Sequence, residues 1–435
     1  MPSPSYVLAF DFSLDRLDAV LVSPEGELLM PHQAYDNNWP GYQSLKRDVV
    51  GHLAAQPDAQ LTAAGESTGL LWWHVYHQIV SDPDFEPYRP QLALLNPRQV
   101  KNFRKALAEE EKTDPKDALL VASFYRNVGV RSFTTLDWRY LPLRFFTRAY
   151  YRVNHSLAAE KARCLSLIYL KASEYDRLKP FSDSLGVTSQ HVLTECPDIA
   201  ALADIPTDAL ADAIDAVVSA PLKDAQESAQ RLQQVARDSY PFPPTLARAI
   251  NPILELTLEH IQLLERHKAQ YKRYICDELA GLPEADLALD YHGLGPILVG
   301  GILAEIQDPR RFVTGQKYDR KRKRMRPRNA RDGQAGVAKM AGLWWPRGDS
   351  GRFTNQDRKL ARNRNPILRY WFVQSAYCLK RHQAEYADYY QRKFQEVKHH
   401  AHKRALILTA RKAVRLIFAL LLKGQRLRLG EGPGA

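Results

Sequence analysis

The sequence predicts an α/β domain at the N-terminus followed by a longer, mainly helical part, and three observations carry that expectation. Short apolar runs bounded by turn residues fill the first third, long helical stretches broken by prolines fill the middle, and basic residues gather in the last third. At 435 residues the chain is long enough for two or three domains with sizeable cores.

Residues 5–13, 17–23 and 27–34 read as successive strands, with Pro24, Glu25 and Gly26 as the second turn, so an antiparallel meander is expected. Helical patterns near 41–55, 68–80 and 97–108 flank strands near 60–66 and 91–95, and a helix over 115–128 closes the unit. Three strands followed by alternating helices and strands match an RNase H-like fold. Two long helical stretches, 139–175 and 245–280, then enclose shorter helices punctuated by Pro197, Pro206, Pro221, Pro241, Pro243 and Pro244. Long helices returning on each other suggest a coiled-coil-like arm, which favours a dimer. Leu254, Leu258, Ile261, Glu265 and Lys268 keep the apolar spacing only in part, so a bundle packed on itself is an equal alternative.

Beyond 285, Gly293-Leu294-Gly295 lies between apolar helical stretches as in a helix-hairpin-helix, where glycines let backbone N–H groups approach a phosphate. An ordinary helix connection packed on the core is the alternative. Helices near 366–392 and 394–423 close the chain, with Arg404, Arg411, Lys412 and Arg415 on one face and Leu406, Leu408, Val414, Ile417 and Leu421 on the other. The expected domain limits are 1–130, 131–285 and 286–428, with 429–435 as a tail.

The charge distribution says more than its total. Residues 291–435 hold 32 Lys and Arg against 10 Asp and Glu, whereas residues 1–129 hold 11 against 17 and residues 130–290 hold 18 against 22. The basic excess behind the net charge of +12 therefore sits in the final third, the footprint of a domain that binds a polyanion. Its densest run contains Lys317, Arg320, Lys321, Arg322, Lys323, Arg324, Arg326 and Arg328. Such a run is commonly a solvated tail, but this one is internal and lies among other basic clusters, so phosphate contact is expected. Trp371 and its neighbours Tyr370 and Phe372 read as core rather than as a base-stacking platform. Cys164, Cys196, Cys276 and Cys378 are far apart, which points to neither a disulfide framework nor a zinc site. The apolar run from Leu416 to Leu422 is too short to span a bilayer, and the N-terminus lacks a secretion signal, so the sequence reads as a soluble cytoplasmic protein without a membrane partner.

Four acidic residues are the candidate site. Asp11 sits in an apolar, strand-like run, where a carboxylate is costly unless paired or bound to a cation. Glu66 ends a second such run. Asp114 is a good N-cap ahead of Pro115, and Asp117 follows near the same helix end. Oxygen-only clusters of this kind suit Mg2+ or Mn2+, and a pair of such ions can stabilise the attacking and leaving oxygens of a phosphoryl displacement.

In this order the chain resembles the DEDD transposases of the insertion-sequence 110 family, the serine-containing recombinases guided by a bridge RNA. The resemblance is carried by Phe10-Asp11-Phe12-Ser13, Gly65-Glu66-Ser67-Thr68-Gly69, Asn96-Pro97 with Phe103, and Lys112-Thr113-Asp114-Pro115-Lys116-Asp117-Ala118. Further on it rests on Gly293-Leu294-Gly295, Leu303-Ala304-Glu305-Ile306 with Arg311-Phe312, Ala341-Gly342-Leu343 with Pro346, and Ser350-Gly351. The resemblance implies that Asp11, Glu66, Asp114 and Asp117 form a RuvC-like catalytic tetrad holding divalent metal and that Ser350 is the nucleophile. It also implies target and donor DNA, a structured non-coding guide RNA, a homodimer or tetramer, and a nucleoid-associated place in a prokaryotic cell. The departures are Tyr291-His292 before the glycines, Trp344-Trp345 before Pro346, and Asn365-Pro366 where a glycine region is usual. Two rival readings stay open: a RuvC-like junction-resolving nuclease with no serine intermediate, and an inert nucleic-acid-binding protein that kept the fold.

Overall fold

The computed structural model describes residues 5–56, 59–107, 114–129, 138–217, 224–319, 321–345, 360–361 and 364–423; the side chains of Asp114 and Pro115 lie outside the described set. The chain forms two compact units, Met1–Trp138 and Arg139–Ala435.

The first unit is a mixed α/β layer. Its strands are β1 (Ser5–Phe12), β2 (Arg16–Val22), β3 (Leu28–Asp36), β4 (Gln60–Glu66) and β5 (Gln91–Leu95), in the spatial order β3-β2-β1-β4-β5. The first three form the expected antiparallel meander, β4 lies parallel to β1, and β5 lies parallel to β4. Helices α1 (Trp39–Leu53), α2 (Trp73–Ser81), α3 (Pro97–Ala106) and α4 (Asp114–Phe124) complete it. The crossovers begin where the sequence supplies caps: the Asn38 side chain accepts from the Gly41 N–H ahead of α1, and Asn96 accepts from Arg98 N–H at 2.9 Å ahead of α3. Pro40 and Pro97 occupy first-turn positions that need no N–H.

Alternation along β1 assigns its two faces. Val7 and Ala9 share a core with Ala118, Val121 and Ala122 of α4, so α4 covers that face. Phe10 and Phe12 point the other way and meet Tyr76 of α2. One expected boundary moves. The helix expected from residue 68 begins at Trp73, because Gly69 takes φ +57° and the Trp72 indole donates to its carbonyl at 3.1 Å, forming a turn instead.

The second unit is predominantly helical. The long helices α5 (Leu141–Lys171) and α10 (Pro244–Ala280) pack along each other, and between them run α6 (Tyr175–Leu178), α7 (Val187–Glu195), α8 (Thr207–Asp215) and α9 (Ala225–Asp238). Leu254, Leu258 and Ile261 of α10 share a buried core with Cys164 and Ile168 of α5, Leu193 of α7, Ile214 of α8 and Leu232 of α9. Among the described residues, then, the helices between the long pair pack on it as one bundle. Outside that core, the expected inter-helix position Glu265 is ion-paired with Lys161 at 2.6 Å.

A separate core gathers α11 (Asp286–Leu289), α12 (Pro296–Ile306), α13 (Ala330–Met340), α14 (Pro366–His382), α15 (Ala384–Gln395) and α16 (Ala401–Lys423) with the ends of the long pair at Leu143, Ile275 and Leu279. Trp371 and Phe372 are 1% exposed in it, as the core reading required. The stretch 366–392 is two helices, since Gln383 is extended and its amide donates to the His292 carbonyl at 2.8 Å. Every residue of α12 from Val299 to Ile306 is buried, so the helix runs through the middle of this core. Its glycines make that possible. A Cβ on Gly301 would lie 2.4 Å from the Trp371 ring.

Gly301→Val should therefore destabilise the protein by about 1–3 kcal/mol through overpacking against a ring with no room to move. Urea denaturation is the measurement, and an unchanged midpoint would mean that α12 and α14 are not packed this closely.

Candidate functional site

The sheet brings two of the expected carboxylates together. In the parallel β1/β4 ladder Phe10 pairs with Gly65, so Asp11 and Glu66 are the next residues on neighbouring strands and share a face. By alternation that is the face covered by α4. Tyr125, just past the end of α4, lies 3.4 Å from Thr62 near the start of β4, so α4 runs against the direction of β4. Its N-terminus, with Asp117, is thereby turned toward the sheet end that carries Asp11 and Glu66. Asp117 is 6% exposed and receives the Arg104 guanidinium of α3 at 2.5 Å. The backbone of Asp114 opens α4, but its side chain lies outside the described residues, as does all of Ser350.

The sequence reading missed two participants. Asp18 is the register partner of Asp11 on β2 and is 4% exposed. Like charges directly opposite each other destabilise a ladder. Here Arg16 at 3.2 Å and His32 at 2.7 Å both bind Asp18 Oδ1 and offset the cost. The signal was present as a second acid inside an apolar strand, the same cue that singled out Asp11. Arg104 is the other, legible only once α3 and α4 are packed together.

Among the described residues no three His, Cys, Asp or Glu side chains gather in a way that would hold a metal ion. The donors that the register places side by side, Asp11 and Glu66, are hard anionic oxygens of the kind a small divalent cation takes. Asp117 has a guanidinium where a cation would sit. The donor chemistry thus fits Mg2+ or Mn2+, with Arg104 having to yield Asp117 for that residue to join.

In the second unit the expected hairpin glycines differ in role. Gly293 has φ +98°, and a Cβ there would meet His382 at 3.3 Å and Leu379 at 3.5 Å, so the residue serves a tight turn packed on α14. Gly295 caps α12 in an extended conformation and faces open space. The preceding helix, α11, is only four residues long. The turn therefore packs on α14 at Gly293, while Gly295 is exposed.

The basic run forms a β-hairpin of β6 (Gln316–Asp319) and β7 (Arg324–Pro327), with Lys317 opposite Arg326 and Tyr318 opposite Met325. Its cations divide into two sets. Lys317 binds Asp332 at 2.7 Å and Arg326 binds the same carboxylate through two nitrogens at 2.6 and 3.0 Å, which ties the hairpin to the start of α13. Asp332 also completes a capping box with Asn329. The Arg326 guanidinium holds Asp332 well below the usual carboxylate range. Its folded pKa being depressed, the anchor contributes at any pH above about 4 and weakens as pH falls below that. At the tip, Asp319 accepts from the backbone N–H groups of Lys321 at 3.0 Å and Arg322 at 3.2 Å. Lys321, Arg322, Lys323 and Arg324 remain exposed, Arg328 is half-buried, and Arg320 lies outside the described residues. On α16, Arg404 and Lys412 are likewise paired, with Glu396 and Glu385, while Arg411 and Arg415 are exposed.

Among the described residues no helix is long and apolar enough to cross a membrane. A comparison with curated proteins finds no match. Residues 8–170, which include Asp11, Glu66 and Asp117, match the family model of the DEDD transposases of insertion sequence 110, described as a transposase. Over residues 8–170, then, the chain is similar to the transposases of the insertion-sequence 110 family.

Proposed function

We propose that the protein is the recombinase of an insertion sequence, guided by a structured RNA, which cuts and rejoins target and donor DNA through a phosphoserine intermediate. The observation that carries this reading is the side-by-side placement of Asp11 and Glu66 in a domain similar to the transposases of the insertion-sequence 110 family. The strand order β3-β2-β1-β4-β5, with α4 across the face that bears the carboxylates, supports an RNase H-like, RuvC-like unit. Asp11, Glu66, Asp114 and Asp117 would hold Mg2+ or Mn2+, and a bound ion would polarise the attacked phosphodiester. Ser350 Oγ attacks phosphorus and loses its proton. The P–O bond to deoxyribose breaks, the leaving oxygen takes up a proton, and a new strand end later reverses the step. The number of phosphodiester-type bonds is conserved, so no hydrolysis is needed. The exposed cations at the hairpin tip, with the open turn at Gly295, support nucleic-acid backbone contact by the final third. A homodimer or tetramer would supply the several active sites that strand exchange demands.

The chemistry is tested by trapping. A denatured reaction should contain protein joined covalently to a DNA end, and Ser350→Ala should remove both the adduct and recombination. A junction-cutting nuclease that activates water would give cut DNA without any adduct, and a Ser350→Ala protein that still recombines would reject the serine step. Asp11→Ala or Glu66→Gln should abolish strand transfer while leaving nucleic-acid affinity within about twofold, since neither residue belongs to the basic surface. Full recombination by either variant would remove the tetrad from the mechanism.

The basic surface makes a separate prediction. Affinity should fall with salt by about 0.7–0.9 log units per contacted phosphate for each log unit of salt. Arg322→Gln with Arg324→Gln should flatten that slope, whereas Lys317→Gln should act chiefly by loosening the hairpin. An unchanged slope in the double variant would make the tip a solvated loop.

A further inference from the structure

Inside the second unit, Arg144 and Arg148 of α5 flank the carboxylate of Glu305, and Arg311, five residues past the end of α12, bonds the backbone of the same residue. Glu305 has a side chain 0% exposed and receives Arg148 through Nε at 2.7 Å and Nη2 at 3.0 Å. The Asn365 amide donates to it at 2.6 Å, and Arg144 Nη2 stands 3.8 Å away. Arg311 reaches only the Glu305 backbone carbonyl, at 3.5 Å, and lies over the Phe312 ring. Asp308 also acts electrostatically on Arg311, and its carboxylate is engaged by Arg310 at 3.3 Å, so the group holds four guanidiniums against two carboxylates.

Two guanidiniums thus share one fully buried carboxylate, and a third, on Arg311, lies near enough to interact with it electrostatically. Two of their N–H groups, Arg144 Nε and Arg311 Nε, are buried without a hydrogen-bond partner among the described residues. Burial and the neighbouring Arg144 push the Arg311 guanidinium down to about 10, and burial lowers Arg144 as well. Burial would raise Glu305, yet Arg148 and Arg144 hold it below its usual range, so its charge is already committed. Ordered water could accept from the orphaned N–H groups, but water would leave the surplus positive charge uncompensated. An anion answers the charge, and although the orphaned Nε atoms are buried, the Arg144 and Arg148 side chains are 28% and 34% exposed and Arg311 is half-buried, so the cluster meets the surface.

We infer that Arg144 and Arg311, set around the Arg148–Glu305 pair, form a binding site for a phosphate group of a nucleic-acid backbone. Guanidinium N–H groups in fixed orientation match phosphate oxygens, and a partly desolvated site strengthens each charge-assisted bond. Glu305, Arg148 and Asn365 are positioning residues that hold the two donors apart and aimed. This inference rests on the proposed nucleic-acid reading of the second unit, but it concerns different residues from the hairpin tip.

The test uses the full chain and two variants, Arg311→Met and Arg144→Met, with Arg322→Gln/Arg324→Gln as the reference for exposed charge. Thermal unfolding is followed in chloride and in inorganic phosphate at equal ionic strength, and binding is measured to one mixed-sequence duplex as DNA and as RNA. Phosphate should raise the Tm of the unaltered protein, and each Met variant should lose that rise. In chloride each variant should unfold at the same temperature as the unaltered protein or higher, since an uncompensated buried charge has been removed. Affinity for the polymer that supplies the phosphate should fall roughly tenfold or more. Loss confined to DNA or to RNA identifies the source. A purely structural cluster would instead give variants that unfold earlier with no phosphate dependence, and that result overturns the inference. Stabilisation by phosphate with unchanged DNA and RNA affinity would mean an adventitious ion only and would overturn it too. If the Met variants bind normally while the hairpin variant loses salt dependence, this inference fails and the proposed function stands. If the unaltered protein binds neither polymer, the proposed function fails first.

Discussion

The parallel register of β1 on β4 is the constraint on which the carboxylate site depends. Side chains alternate along a strand, so a slip of one residue would send Asp11 or Glu66 to the opposite face and separate them. Both ends of the ladder are pinned. At one end Ser5 and Thr62 hydroxyls meet at 2.8 Å, and at the other Phe12 lies so close over Gly65 that a Cβ there would stand 2.4 Å from its ring. Gly65 therefore matters for what it lacks. Any side chain at that position would push Phe12 away from the last rung before the two acids.

The same ladder explains how much was legible beforehand. Strands inside a sheet and covered on both faces read as continuous apolar runs, which is why 5–12 and 60–66 stood out and why the acid near the end of each drew attention. The start of α2 was misread because Thr68 and Gly69 look like helix-start chemistry, while the positive φ of Gly69 belongs to a turn. Asp18 carried the same signal as Asp11 but no turn or motif beside it. The hairpin 316–327 showed no strand pattern at all. Its residues are exposed on both faces, so no apolar alternation exists, and its shape is held by Asp332 from beyond the hairpin itself. Arg104 with Asp117 and Arg148 with Glu305 are tertiary pairings, the second across 157 residues, and no local spacing announces them.

A count of basic residues overstates the surface available to a polyanion, because a cation with an internal carboxylate partner would have to break that pairing to reach a phosphate. In the final third, Lys317 and Arg326 are spent on Asp332, Arg404 on Glu396, and Lys412 on Glu385. Asp319 works differently: by taking the backbone N–H groups of the turn it leaves the tip side chains outward. The charges then fall into two kinds, exposed ones that act through a salt-screened field and confined ones whose orientation is set by their neighbours.

That division bears on how such a protein could hold a strand while it is cut. Exposed cations attract a backbone without fixing it, since screened contacts between mobile side chains exchange easily. Fixing one phosphate calls for donors whose geometry is settled before binding, because orientation acquired in advance is entropy not lost later. The Arg148–Glu305–Asn365 arrangement has that character: a bidentate pair with a side chain buried completely, locked into the core through α12 and α14. Arg144 and Arg311 lie against it and keep N–H groups that are unpaired among the described residues. Surplus charge held in a partly buried place is costly without a counter-ion, so an anion bound there would be favoured by the same desolvation that makes the empty cluster costly.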